Sequence, residues 1–230
     1  MDKQVQELLN AKIIAPSDAS RWCSPIVMVR KPSGEFRFCA DLRRLNSQCE
    51  TLYHELPNVE DVVDLVSQNQ AKIFTVCDLR QAFYQLSLTD ESIEKTTFSV
   101  SHGNFYKFLK LPMGYVNSPY HCTQALNKLF RHQIGDFMLI YVDDILISSS
   151  AEQAHLGHLR IMLMKLREAN LKLQPTKCQL ARPELTNLGH VFFFIRLLSI
   201  STENCRRGKL SSAPKCQRSP FILWLVQQFS

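Results

Sequence analysis

Two adjacent acids, Asp143 and Asp144, interrupt an otherwise apolar segment, MLIYVDDILISS, at residues 138–149. The residues on either side favour β-strands, so the pattern predicts two strands joined through the acid pair. Asp-Asp is not a favoured two-residue hairpin turn, whereas Asn-Gly or Asp-Gly would be. A buried carboxylate costs several kcal/mol unless another group compensates its charge. If these acids are buried, another group must therefore compensate their charge. On these residues alone, a simple exposed turn is the alternative.

A third acid, Asp78, lies near the end of a second apolar segment, AKIFTVCDL, at residues 71–79. If this strand pairs beside the hairpin, three carboxylates meet at one edge of a sheet. Their mutual repulsion would raise their pKa values, and a bound Mg²⁺ would remove the conflict. Two such ions can clamp the attacking and leaving oxygens of a phosphoryl displacement. The acids are therefore predicted to hold two Mg²⁺ ions, with Mn²⁺ as the alternative, for nucleotidyl transfer.

The rest of the chain mixes helical and strand patterns without strict βαβ alternation, which predicts an α+β fold with an antiparallel sheet. Asn58 is a plausible N-cap for one of the helices. His155 and His158 lie on a predicted helix whose apolar stripe carries four leucines, and we interpret both as surface histidines. Helices are predicted near the N-terminus and at 56–68, 117–130 and 151–171, and strand pairs at 24–42 and 96–111.

Composition excludes several classes of protein. No apolar stretch is long enough to span a bilayer, and the segment MDKQVQELLNAKII is not a signal peptide, so we expect no membrane partner and a cytoplasmic or nuclear location. The eight cysteines have no CxxC spacing and are predicted to be reduced thiols. The net charge is +6, but residues 195–230 hold six basic residues and one acid. Overall charge therefore does not predict nucleic-acid binding.

Five segments, in chain order, resemble motifs of the reverse transcriptases of gypsy-type long-terminal-repeat retrotransposons and retroviruses. YVDD alone is a short pattern, but five motifs in the same order are a specific resemblance. They cover most of the chain from about residue 5 to residue 191. The segments are ASRWCSPIVMVRKPSGEFRFCADLRRLN, FTVCDLRQAFYQLSL, KFLKLPMGYVNSPYHCTQAL, YVDDILISS and LKLQPTKCQLARPELTNLGH.

The resemblance implies a polymerase palm, an antiparallel sheet with helices, together with a fingers subdomain. It places both within residues 1–191, with the fingers at about 1–70 and 88–115 and the palm in the remainder. Residues 192–230 depart from the family pattern, so we expect a poorly ordered tail and a thumb that is lacking or disrupted. The implied activity is RNA-directed DNA synthesis, with dNTPs, an RNA or DNA template with its primer, and other pol domains of an intact element as partners.

The resemblance also implies roles for individual residues. Asp78 and Asp143 would be the principal catalytic metal ligands, and Asp144 a more peripheral one. Phe83 would be the steric gate that leaves no room for a ribose 2′-OH, and Tyr141 would lie near the primer end. Met113 stands where related enzymes commonly carry Gln or Phe. The residues implied in binding the incoming nucleotide are Lys31, Arg37, Phe83, Met113 and Gly114.

Other functions remain open at this stage. An inactive retroelement remnant that binds only nucleic acid or a protein partner would retain the same motifs. A carboxylate nuclease would need neither the aromatic residue after Asp78 nor the Leu-Pro-Met-Gly segment at 111–114. An RNA-templated RNA polymerase shares the two-metal chemistry, but Phe83 in the gate position would exclude ribonucleotides. The polymerase interpretation is therefore favoured over both enzymatic alternatives.

Overall fold

The computed structural model describes residues 2–30, 34, 36–53, 57–100, 103–187, 190–193 and 197–199. The chain divides into two compact units, the first of residues 1–54 and 81–122 and the second of residues 55–80 and 123–230. Of the predicted tail, 192–193 and 197–199 lie in strands, and the rest lies outside the described residues. No helix in the described ranges is long and apolar enough to cross a membrane.

Numbered along the chain, the helices are α1 (Asp2–Asn10), α2 (Arg43–Asn46), α3 (Val59–Gln68), α4 (Asp90–Ile93), α5 (Ser118–Phe130) and α6 (Glu152–Glu168). Short 3₁₀ helices cover Ala82–Gln85 and Glu94–Thr96. The strands are β1 (Ile14–Ser17), β2 (Ile26–Arg30), β3 (Phe36–Ala40), β4 (Ile73–Asp78), β5 (Phe98–Ser99), β6 (Phe105–Phe108), β7 (Met138–Tyr141), β8 (Asp144–Ser149), β9 (Gln179–Arg182), β10 (Glu184–Asn187), β11 (His190–Phe193) and β12 (Leu197–Ser199).

The first unit contains a three-stranded antiparallel sheet in the order β1-β6-β5 and a separate β2-β3 hairpin. Both hairpins predicted from sequence are present. Gly34 and Gly103 lie between their strands with φ of 87° and 75°, a conformation that glycine adopts without steric cost. The core of the unit is aromatic, with Phe38 and Phe108 packing against Phe98 at ring-centroid distances of 5.4 and 5.1 Å.

The second unit is built on a four-stranded antiparallel sheet in the order β7-β8-β4-β9, and β10, β11 and β12 form a further antiparallel sheet. The two central strands, β8 and β4, are buried because most of their side chains are apolar, and Phe74, Ile145 and Ile147 are fully enclosed. The predicted α+β fold with an antiparallel sheet is therefore confirmed.

Helix α3 begins as the sequence predicts. The Asn58 side chain accepts a hydrogen bond from the Asp61 N–H at 3.0 Å, and the Asp61 carboxylate accepts one from the Asn58 N–H at 2.6 Å. This reciprocal cap satisfies two backbone donors that a helix start otherwise leaves unpaired. Val62 and Leu65 of this helix pack with Phe74 of β4, so the helix belongs to the second unit.

The interpretation of His155 and His158 as surface residues is wrong. His155 is only 2% exposed, because its ring bridges two hydroxyls of the sheet: Nε2 lies 2.8 Å from Thr75 Oγ1 and Nδ1 lies 2.8 Å from Ser149 Oγ. Burial lowers the pKa of His155 to about 4. The ring of His158 stacks on that of Phe137 with centroids 3.8 Å apart. A helix face that receives polar partners from the sheet can bury histidine in place of leucine.

Candidate active site

Asp78 and Asp144 face each other across two neighbouring strands. The β4–β8 pairing runs without interruption from Ile73 opposite Ser149 to Asp78 opposite Asp144. At the next position the Leu79 N–H donates to the carbonyl of Asp143 at 3.4 Å. The sheet therefore brings both strand ends to one edge, which is the arrangement that the sequence required for the three acids to meet.

The hairpin turn is displaced by one residue from its predicted position. Tyr141 pairs with Asp144, so Val142 and Asp143 form the turn and Asp144 is the first residue of β8. Val142 has a φ of 57°, a left-handed conformation that costs a β-branched residue about 1–3 kcal/mol. The turn therefore stores strain beside the acids, and the packing of the sheet must compensate for it.

The carboxyl groups of Asp143 and Asp144 resist ionisation. Burial raises the pKa of Asp144 to about 6, and the charges of Asp143 and Asp78 add to this effect. The pKa of Asp143 is also raised, first by burial and then by the charge of Asp78. Partly buried carboxylates that lie close together repel each other when ionised, so the binding of a cation is favoured at this sheet edge.

Lys177 provides the positive charge that lies in this site. Its Nζ is 2.9 Å from Asp78 Oδ2, and the two side chains are 65% and 18% exposed. The hydrogen bond to Asp78 raises the pKa of Lys177, which therefore stays charged. Sequence reasoning gave Lys177 no role. In the sequence, Lys177 is marked only by its place in the PTKC segment at residues 175–178. The fold brings this segment beside β4.

The donor chemistry of this edge fits a hard divalent cation. Among the described residues, no three His, Cys, Asp or Glu side chains form a ready set of metal ligands. Mg²⁺ is usually held by one or two carboxylates, with waters and substrate phosphates completing its shell. The geometry therefore fits a cation held by part of the acid group together with a substrate, and the three-ligand assignment stays a prediction.

Replacing Asp144 by Asn is expected to stabilise the metal-free protein at pH 7.5 by about 1–2 kcal/mol, a value reduced for solvent screening because the carboxylate is half exposed. The folded-state pKa is raised to about 6, so the ionised carboxylate destabilises the fold in full above that pH and progressively less below it. The gain should vanish as the pH falls from 6 to 4. Urea denaturation in EDTA at pH 7.5 and 4.5 measures it. Asp64→Asn, at an exposed position of α3, should change neither value.

The predicted nucleotide-binding residues belong to the first unit. Phe83 is half-buried in the 3₁₀ helix Ala82–Gln85, and Met113 is half-buried ahead of Gly114. Gly114 has a φ of 90°, a left-handed conformation that glycine adopts without steric cost. Its carbonyl accepts a hydrogen bond from Asn46 Nδ2 at 2.8 Å. Arg37 is a β3 residue opposite Val29.

Lys31 lies outside the described residues, as does the side chain of Arg37. Tyr141 is half-buried at the end of β7, opposite Asp144. The structure therefore brings Tyr141 beside the acid edge, as its position before the acid pair suggests.

Comparison with known proteins adds sequence relatives. Residues 29–192 match the family model described as Reverse transcriptase (RNA-dependent DNA polymerase). The chain is 33% identical over 195 residues to the Retrovirus-related Pol polyprotein from transposon 297 of Drosophila melanogaster. This alignment covers 83% of this chain and 18% of that protein. It is 32% identical over 197 residues to the corresponding polyprotein from transposon gypsy of the same fly, covering 83% and 19%. The chain thus spans less than a fifth of these relatives.

Solved structures share the fold. The foamy viral protease-reverse transcriptase dRH in complex with double-stranded DNA superposes with a TM-score of 0.77 at 24% sequence identity. The match covers 99% of this chain and 38% of that one. At this identity the likeness concerns the fold, which is the α+β fold that the motifs predicted.

Proposed function

The chain belongs to the reverse transcriptase (RNA-dependent DNA polymerase) family, and we propose that it adds dNTPs to a primer 3′-OH under the direction of an RNA or DNA template. One observation carries this proposal: Asp78 lies opposite Asp144 across two paired strands, with Asp143 in the adjoining turn. The pairing brings Asp78 together with Asp143 and Asp144, which lie 65 and 66 residues further along the sequence, in one anionic edge.

Asp78 and Asp143 are the proposed principal metal ligands, and Asp144 the more peripheral one. When bound, divalent ions would supply Lewis-acid stabilisation of the charge that develops on the transferred phosphoryl group. We propose Mg²⁺ as the ion, with Mn²⁺ able to replace it. The chain's own contribution is to hold the carboxylate oxygens on rigid strands, so that little reorganisation is needed during the reaction.

The proposed substrate contacts come from the first unit. Lys31 and Arg37 suit a triphosphate, because Lys is a compact positive charge and Arg offers a planar fork of donors. Met113 and Gly114 are proposed to lie against the nucleotide, and Tyr141 of the second unit near the primer end. The double-stranded DNA bound by the foamy viral relative supports a template–primer duplex as the partner. Other domains of a Pol polyprotein are proposed partners on the same grounds.

Replacing Phe83 by Val is expected to admit ribonucleotides. A half-buried aromatic ring in the gate position would exclude a 2′-OH by contact, and valine would remove most of that ring. We expect the preference for dTTP over UTP to fall at least about tenfold, or ~1.4 kcal/mol. Single-nucleotide addition with each substrate measures the ratio. Phe36→Val, at an exposed position of β3, is the control. An unchanged ratio in Phe83→Val would remove Phe83 from the gate.

Primer extension on poly(rA)/oligo(dT) tests the proposed function. The wild-type chain should incorporate dTTP with Mg²⁺ or Mn²⁺, and EDTA should abolish incorporation. An inactive remnant would instead bind the template–primer and incorporate nothing in either metal. Binding measured by fluorescence anisotropy at two salt concentrations separates a folded, silent protein from one that does not engage the duplex.

A further inference from the structure

Two thiols oppose each other beside the acid edge. The β4–β9 pairing places Val76 opposite Gln179, and Lys177 Nζ lies 2.9 Å from Asp78 Oδ2. Cys77 directly follows Val76 and Cys178 directly precedes Gln179, so the two cysteines are neighbours across the strands where residues 175–177 form a turn, before Leu79 pairs with Leu173. The two side chains are within hydrogen-bonding reach of each other.

The two thiols differ in accessibility. Cys77 is fully buried in β4, whereas Cys178 is half-buried and its Sγ donates to the carbonyl of Gln174 at 3.3 Å. Both are free thiols. Disulfides join cysteines whose Cα atoms lie about 4.4–6.8 Å apart, a range that includes neighbouring residues on paired strands.

We propose that Cys77 and Cys178 form a peroxide-sensitive dithiol that closes into a cross-strand disulfide beside Asp78. Hydrogen peroxide oxidises the accessible Cys178 thiol to a sulfenic acid and is itself reduced to water. The Cys77 thiol then attacks the Cys178 sulfur, the S–O bond breaks, and the second oxygen leaves as water with the thiol proton. In total, two thiols lose two electrons and two protons, and one peroxide becomes two waters.

The disulfide would join the strand that carries Asp78 to the segment that carries Lys177. In the β2–β3 pairing, by contrast, Cys39 lies opposite Val27. The reaction is independent of the polymerase function, because it requires only the pairing of β4 with the segment before β9.

The test treats the folded full-length chain with a small excess of hydrogen peroxide, alkylates the remaining thiols and maps the peptides by mass spectrometry. The expected result is a Cys77–Cys178 linked peptide in most molecules, which dithiothreitol reverses. Cys178→Ser should lose the linked peptide, and the core-conserving Cys77→Val should lose it too. Cys23→Ser, at a half-buried cysteine of the first unit, should retain it.

Two results would overturn the proposal. One is full alkylation of Cys178 after peroxide treatment, with other cysteines oxidised. The other is oxidation of Cys178 to the sulfinic acid while Cys77 stays a free thiol, since this would show that the buried thiol cannot reach its partner. Both results are read from the same peptide map, without any measurement of polymerase activity.

Discussion

Replacing Asp143 by Asn is expected to lower the rate of primer extension at least about 1,000-fold, or ~4 kcal/mol in activation free energy. The substitution keeps the size of the side chain but removes the charge that a divalent cation requires. Asp143 sits in a strained turn beside two other acids, and no other described carboxylate occupies that turn. Initial rates of dTTP incorporation with saturating template–primer and Mg²⁺ measure the loss.

Asp64→Asn is the matched control for this experiment. Asp64 lies in the same unit, is exposed on α3, and undergoes the same chemical change. Its rate should equal that of the wild type. If Asp143→Asn extended primers within about tenfold of the wild-type rate, the acid edge would not be the catalytic centre, and the site would have to be sought elsewhere.

Acidification from pH 6.5 to pH 4 is expected to cost about 3 kcal/mol of folding free energy through His155 alone. Its folded-state pKa is about 4, mainly because of burial and secondarily because of the charge of His158. Between pH 6.5 and 4, His155 is therefore protonated in the unfolded chain but stays largely neutral in the folded chain. Stability falls as the pH drops through that window, and the contribution is unaffected above it.

The contribution of His155 is isolated by a variant, because Asp143 and Asp144 titrate in the opposite sense over part of the same range. His155→Gln keeps hydrogen-bonding groups near Thr75 and Ser149 but cannot be protonated. Its urea-unfolding free energy should lose about 3 kcal/mol less than that of the wild type between pH 6.5 and 4. The exposed His132→Gln should behave like the wild type. Parallel pH profiles for wild type and His155→Gln would contradict the buried position.

Local patterns predicted the helices and strands well, because periodicity and capping residues act over short distances. The Asn58 cap, the two hairpins of the first unit and the strand that ends at Asp78 follow from neighbouring residues. The family itself was recognisable because five motifs keep their order. The predictions of a reverse transcriptase domain related to gypsy-type elements and of an α+β palm and fingers fold are confirmed.

The failures have a common physical cause, which is that tertiary partners cannot be read from one segment. His155 is buried because Thr75 and Ser149 supply its hydrogen bonds, and neither is near it in the helical pattern. The turn was placed one residue too late, because valine is a poor candidate for a left-handed conformation. Lys177 was missed because its contact with Asp78 spans 99 residues.

Binding of Mn²⁺, followed by the loss of the free-ion electron paramagnetic resonance signal, tests the shared role of the three acids most directly. The wild-type chain should bind Mn²⁺, and Asp78→Asn and Asp143→Asn should each weaken binding at least about tenfold, or ~1.4 kcal/mol. Asp64→Asn should bind as the wild type does. Equal affinity in the wild type and both acid-edge variants would contradict a divalent-cation site formed by Asp78, Asp143 and Asp144.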